Sequence, residues 1–459
     1  MTVPFNVDSN ETPESAAEKP QRRTRPLLPS DDPFYVAPVG FGALAPGTVI
    51  RSREIDVALL GVVPQQISAW QLLYRSSDLH LTPEAAVTTV LLPAGADPAE
   101  PRPLVAYQCA IDAISDKCFP SYALQRGART AGSVPPLELL VIANALQRGW
   151  AVSIADHEGL HGYFAAPREP GYRILDGIRA VKSFAPVGVL PDAPIALWGY
   201  SGGGMATSWA AEMAPEYAPE LDIVGAALGA PVGDPGETFI KLNGTTFAGL
   251  PAIVVAGLRH IYPGLDRVLR EHVNFEGRRL LELAERSSTI FAIARLANDD
   301  FDSYIDAPLA DVLALPEILE VFEDLRLGQR TPRCPLFVVQ AVHDQIISVD
   351  DVDGQVRRYI DGGAHVTYVR DRLSEHILLM PIAAPATLKW LEDRFARRPL
   401  PTGKTTTVLS MAFSPSAIIG LLATGVTAIK VIFGKSLRRK TVREFHPSEG
   451  ETRAQADSA

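Results

Sequence analysis

Ser201 sits in the run Gly199-Tyr200-Ser201-Gly202-Gly203, a G-x-S-x-G pattern. The apolar residues 195–198 before it read as a buried strand, and a helical pattern begins at once in 205–213. A serine on so tight a strand-to-helix turn, a nucleophile elbow, is lifted clear of the sheet. The helix behind it points its N-terminal N–H groups at any oxyanion formed there. Gly199 and Gly203 flank the serine because the turn leaves no room for side chains. The hydroxyl needs a histidine to take its proton and a carboxylate to hold that histidine in the right tautomer. Where this motif does acyl transfer, acid and base follow the serine in that order. The strand 336–342 runs into His343-Asp344-Gln345, so Asp344 is the expected acid. The strand 365–370 leads to Ser374-Glu375-His376-Ile377, so His376, in the loop, is the expected base. Asp350, Asp351 and Asp353 compete as acids but fit the start of the next helix better. Glu375 reads as a solvated neighbour, and His365 as the opening of a strand.

The first oxyanion donor is expected to be the backbone N–H of Gly202, directly after the nucleophile. The second normally comes from the loop after the third strand, here 104–109, which begins at Ile111-Asp112 and carries no His-Gly-Gly-Gly run. Asp112 could donate through its N–H, or through a carboxyl kept protonated by its pocket. A turn or helix-cap role is equally open to it. His157 and His161 are four apart, but Gly159 and Gly162 make their segment a loop after a strand, so no metal site is expected. The loop is expected to edge the cleft instead.

The elements that must position these residues follow a pattern. After the stretch 49–60, strands are expected over 69–75 and 86–92, joined by a polar turn at 76–79. From 103 to 231 the chain alternates βαβαβαβ, with helices over 136–148 and 172–185 and strands over 150–155 and 222–228. That alternation implies a parallel sheet wrapped by helices. It stops over 234–331, where 265–275, 277–286, 289–296 and 309–325 read as amphipathic helices of an inserted cap. Phe239, Ile240, Phe247, Phe291 and Ile293 are its candidate acyl-pocket residues. A helix over 349–360 and a closing helix over 383–395 complete the core. The expected organisation is a disordered lead-in over 1–32, core over 33–233 and 332–398, the cap at 234–331, and an apolar segment with a basic and polar tail over 399–459.

Lys+Arg 43 against Asp+Glu 53 leaves a net charge of −10, which argues against a nucleic-acid partner. Three cysteines, Cys109, Cys118 and Cys334, cannot make a disulfide framework. Residues 1–18 are polar and acidic without the apolar run of a secretory signal peptide, so no export signal is expected there. Residues 408–433 are apolar and rich in small residues, and Lys435-Ser436-Leu437-Arg438-Arg439-Lys440 follows. Pro415, Gly420 and Gly425 suit a packed segment better than a straight span. Peripheral contact with a membrane or lipid surface through 408–440 is therefore expected, with a transmembrane span as the rival reading. A cytoplasmic or membrane-associated location follows from the same features.

Residues 107–112, Cys118-Phe119-Pro120-Ser121-Tyr122, Asp156-His157-Glu158-Gly159, 198–204, 229–233, the Asp344 loop and His376 together resemble the secretory lipase (LIP) family, over about 36–395. The resemblance implies an α/β-hydrolase fold with a mostly parallel sheet and an inserted helical cap. It implies esterase or triacylglycerol lipase activity on lipid esters, with no metal and no cofactor. It further implies Ser201, Asp344 and His376 as the triad and Asp112 with Gly202 as oxyanion donors. The chain departs from the family in lacking a visible export signal and in having His157 where a tyrosine is common. Secretion or a cell-envelope location is implied by the family alone. An acyltransferase or other serine hydrolase on the same site, and a silent binding protein of the same fold, are the rival functions.

Overall fold

Strands covered on both faces carry apolar residues throughout instead of alternating them with polar ones. Every residue of Ile195–Tyr200 and of Leu336–Ala341 is buried. A computed structural model describes residues 25–437. Its main sheet has ten strands: β1 (Val49–Glu54), β2 (Ile67–Ser77), β3 (Pro83–Pro93), β4 (Leu104–Gln108), β5 (Ala151–Ala155), β6 (Ile195–Tyr200), β7 (Ile223–Gly229), β8 (Leu336–Ala341), β9 (Val366–Asp371) and β10 (Lys404–Val408). They lie in the order β1-β2-β3-β5-β4-β6-β7-β8-β9-β10. β1, β2 and β3 pair antiparallel, as does β3 with β5, and all other neighbours are parallel. The parallel strands therefore bring their carboxyl ends to one edge, where ligands bind in such sheets.

Helices α1 (Pro135–Gln147), α2 (Glu169–Ser183) and α3 (Gly202–Tyr217) connect β4 to β7. Alternate strand residues feed two cores. Leu197 and Val338 pack with α2 and α3 on one face, while Trp198 and Val339 pack with α1 on the other. Tyr107 of β4 meets Trp198 of β6 edge-on at 5.0 Å, an aromatic pair worth about 0.5–1.5 kcal/mol beyond its area. It clamps β4 to β6 beneath the Ser201 turn.

Between β7 and β8 the chain is helical: α4 (Pro235–Leu242), α5 (Gly249–Leu258), α6 (Pro263–His272), α7 (Phe275–Arg286), α8 (Thr289–Arg295), α9 (Leu309–Leu313) and α10 (Pro316–Leu325). The first two are outside the expected set; α5 is apolar nearly all round and has no polar face to mark it. The single helix expected over 309–325 is two, since Pro316 starts a new helix at its first turn. After β8 come α11 (Val349–Asp361), α12 (His376–Phe395) and α13 (Pro415–Ile432).

Three further expectations are corrected. The lead-in was drawn too long: residues 1–24 lie outside those described, but Asp32 accepts from the Phe34 N–H and pairs with Arg53 at 2.6 Å. The boundary at 398 is also wrong, since β10 pairs in parallel with β9 from Thr367↔Lys404 to Asp371↔Val408. Its Lys-Thr-Thr-Thr-Val sequence lacks an apolar signature because it is an exposed edge strand. The closing helix begins at His376, seven residues before the expected start, because the Glu375 side chain accepts from the N–H groups of Ile377 and Leu378. Pro381 and Pro385 inside it had hidden the helical pattern.

Candidate active site

Ser201 directly follows β6 with φ 55° and ψ −124°, the strained turn that its glycine neighbours make room for. Its N–H donates to the Gly229 carbonyl at 2.9 Å, tying the elbow to β7. A Cβ on Gly199 would lie 2.2 Å from the Gly203 carbonyl oxygen, which explains why the turn excludes side chains there.

The structure brings Ser201, His376 and Asp344 together. His376 Nε2 lies 2.9 Å from Ser201 Oγ, and His376 Nδ1 lies 2.7 Å from Asp344 Oδ2. Asp344 is buried, and its Oδ1 accepts from the N–H groups of Ile346 and Ile347, both at 2.8 Å. Those bonds stabilise the carboxylate as an anion and fix its orientation. Gln340 Nε2 adds a contact to Oδ2 at 3.2 Å. The His376 carbonyl accepts from the Tyr200 hydroxyl at 2.6 Å, locking the histidine's backbone to the end of β6. The rival residues go elsewhere. Asp353 pairs with Arg370, His365 bonds to the Pro401 carbonyl, and Ser348 caps the helix that Asp350 and Asp351 begin.

Asp112 approaches from the loop after β4. It has φ 47°, a left-handed conformation that costs a non-glycine residue roughly 1–3 kcal/mol. Side chains from distant elements hold the loop there. Glu158 Oε1 accepts the Asp112 N–H at 3.0 Å, and Glu138 Oε2 accepts the Ala110 N–H at 3.1 Å. His157 Nε2 donates to the Cys109 carbonyl at 2.9 Å, and Thr289 Oγ1 donates to the Ile111 carbonyl at 2.8 Å. Four bonds at about 0.5–1.5 kcal/mol each outweigh the strain. Glu138 carries no expectation from the sequence, and Glu158 enters it only as a member of the loop expected to edge the cleft. His157 and His161 do not converge: burial lowers the His157 pKa to about 4, while His161 stacks on Tyr163. Cys109, Cys118 and Cys334 are free thiols.

The Asp112 carboxyl is buried, and its Oδ1 has no hydrogen-bond partner. Burial raises its pKa to about 7, opposed by the nearby His376 charge. Both Asp112 and Gly202 line a small apolar cavity of about 50 Å³ beside Ser201, with Phe164, Met205, Phe239 and Val254. A second apolar cavity of about 120 Å³ lies among α5, α6, α7 and α10 and shares Pro235, Phe239 and Val254 with the first. Of the five acyl-pocket candidates, Phe239 lines both. Ile240 and Phe291 are exposed, and Phe247 and Ile293 are half-buried away from these cavities.

A hydroxyl, an imidazole and a carboxylate at these distances are what acyl transfer through a serine requires. With this sheet and its helical insertion, the protein is an α/β-hydrolase, and it is a carboxylic ester hydrolase. The secretory lipase family model matches residues 124–403, more than half of the chain, and the chain belongs to that family. It is 53% identical to "Probable inactive lipase MT1628" of Mycobacterium tuberculosis over 423 residues, covering 92% of this chain and 95% of that protein. It is 34% identical to lipase A of Arthroderma benhamiae, covering 91% and 90% of the two chains. The closed-state crystal structure of Candida antarctica lipase A matches with a TM-score of 0.78 at 28% identity, covering 90% of this chain and 98% of that one.

Proposed function

We propose that this protein hydrolyses lipid esters of medium or long acyl chains through Ser201, His376 and Asp344. The observation that carries the reading is the unbroken hydrogen-bonded line from Ser201 Oγ through both imidazole nitrogens to a buried carboxylate. His376 Nε2 takes the hydroxyl proton as Oγ bonds to the ester carbonyl carbon. Asp344 holds the Nδ1–H tautomer and stabilises the imidazolium. His376 then returns the proton to the leaving alcohol oxygen as the ester C–O bond breaks. Water repeats the sequence on the acyl-enzyme, releasing the acid and restoring Ser201.

The negative oxygen formed at attack needs donors already in position. Gly202 N–H is one. At Asp112 the N–H already donates to Glu158, which favours the carboxyl over the N–H as the donor. The proton on its buried carboxyl is then the second donor, which requires that carboxyl to be neutral at the working pH.

The apolar lining beside Ser201 and the second cavity beyond Phe239 and Val254 favour an extended acyl chain. Each buried methylene contributes about 0.8 kcal/mol, about fourfold in kcat/KM. A p-nitrophenyl ester series from acetate upward, run beside Ser201→Ala, tests the proposal. Activity rising over several carbons and lost in the variant supports it, and a sharp optimum at acetate reduces the assignment to a small-ester esterase.

A second reading is a catalytically silent protein, which the name of the mycobacterial relative favours. The intact hydrogen-bonded line in this chain weighs against it. Turnover no faster in the wild type than in Ser201→Ala across the series would establish the silent reading.

A further inference from the structure

Helix α13 is amphipathic the wrong way round for a helix on a soluble protein. The face turned to the protein carries small or polar residues such as Ala417, Gly420, Thr424 and Thr427, with Val431 fully buried. Contact there is close: a Cβ on Gly420 would lie 2.6 Å from Cβ of Pro385 in α12. The outward face carries Ile418, Ile419, Leu422, Val426, Ile429 and Phe433, and Ile419 and Leu422 are 69% and 67% exposed. Large side chains are turned out while small ones are packed in. Contiguous apolar faces of this kind mark contact surfaces.

Three further observations select the occupant. The face continues to the edge of the sheet that carries Ser201. Leading into α13, the Leu409 carbonyl accepts from the Leu373 N–H at 3.1 Å, and the Met411 N–H donates to Asp371 Oδ2 at 2.6 Å. Exposed Leu409 and Phe413 thereby join exposed Leu373, Ile377 and Leu378, which flank His376. Charge also changes here. In a chain of net charge −10, residues 396–443 hold nine Arg and Lys and no Asp or Glu, with Lys435, Arg438, Arg439 and Lys440 directly after the helix. Finally, the helix is fixed to the protein. Gln65 Nε2 donates to the Val431 carbonyl, Gln66 Nε2 to the Gly434 carbonyl, and Lys430 Nζ to Gln147 Oε1.

We infer that α13 and the adjoining residues 409–413 form a docking surface for the headgroup and upper acyl layer of an anionic lipid membrane. The helix lies in the plane of that surface and turns the Ser201 edge toward it. Its 18 residues are long and apolar enough to cross a membrane, but crossing would strip away the bonds with Gln65, Gln66 and Gln147. An in-plane helix keeps them and buries only the outward stripe, and the basic residues that follow it in sequence suit anionic headgroups, as with interfacial helices. The inference rests on the proposed lipid-ester reading only for the direction in which the active-site edge is used.

Co-sedimentation with phosphatidylcholine vesicles, with and without phosphatidylglycerol, tests it on the full chain. The wild type is expected to bind the anionic vesicles and to be released by salt. The triple variant Ile419→Ser, Leu422→Ser, Val426→Ser is expected to bind them about tenfold or more weakly while keeping wild-type turnover of a soluble short-chain ester. Arg438→Glu with Arg439→Glu and Lys440→Glu, outside the helix, is expected to abolish the preference for phosphatidylglycerol. Ser201→Ala is expected to bind as the wild type does, so a failed esterase assignment leaves this test intact. Equal binding by wild type and triple variant, or none by the wild type, overturns the inference. So does a dimer that the triple variant dissolves without any vesicle binding, since a second copy then covers the face. Resistance of the bound protein to alkaline carbonate extraction overturns it in favour of a span.

Discussion

Asp112 and Gly202 exclude one another's side chains: a Cβ on Gly202 would fall 1.8 Å from Oδ1 of Asp112. The buried carboxyl occupies the space beside the residue that follows Ser201, and glycine alone leaves it there. Gly202→Ala is therefore expected to push the carboxyl aside and lower kcat by about 10²–10³, the usual cost of one oxyanion donor. Overpacking should cost about 1–3 kcal/mol of stability, so the variant remains folded. Steady-state kinetics beside a urea titration check both parts. Near-wild-type kcat in Gly202→Ala would remove Asp112 from the oxyanion site.

The same carboxyl predicts an alkaline limit to activity. Burial raises the Asp112 pKa to about 7, so the proton it must donate is lost as pH rises through that value. kcat is expected to fall above about pH 7. Asp112→Asn, which keeps an N–H donor and cannot ionise, should flatten that limb while retaining part of the activity. A pH–rate profile unchanged by Asp112→Asn contradicts the assignment.

Asp344 and Asp351 lie seven residues apart, and only the first reaches His376. Asp344→Asn is expected to lower kcat by about 10⁴, because the amide no longer holds the productive tautomer. Asp351→Asn should leave kcat within about twofold, because it is Asp344, not Asp351, that bonds to His376. Comparable losses in both would refute the assignment of the acid.

Stability should fall as the solution turns alkaline. Burial raises Asp112, Asp156 and Glu212 to about 7 and Glu138 to about 8, well above the ordinary carboxyl values of 3.8 and 4.5. Each raised acid binds its proton more tightly when folded, so its contribution is complete at low pH and is lost as pH rises through the folded value. His157, lowered from 6.5 to about 4, acts oppositely, but its contribution is complete above pH 6.5. Between pH 6.5 and about 8 these acids dominate, and the urea midpoint is expected to decline. Glu138→Gln should make the decline shallower. A midpoint that rises across this range counts against the buried acids being protonated.

Much of this protein is written locally in its chain. Gly199 to Gly203 between an apolar run and a helical one defines the elbow, because turn chemistry and periodicity are set within a few residues. Asp344 and His376 stand out in sequence because parallel strands deliver all their carboxyl ends to one edge, so order along the chain becomes proximity in space. Other features exist only through contacts between distant residues. The Asp112 N–H is taken up by Glu158, 46 residues on, and no local pattern encodes that bond. Lys404–Val408 is a strand because β9 supplies hydrogen bonds to a polar segment whose side chains show no strand pattern. The outward turn of Ile419 and Leu422 was decided the same way, by the close seat of Gly420 on Pro385: composition marked the segment as apolar, and packing alone chose which face meets the outside.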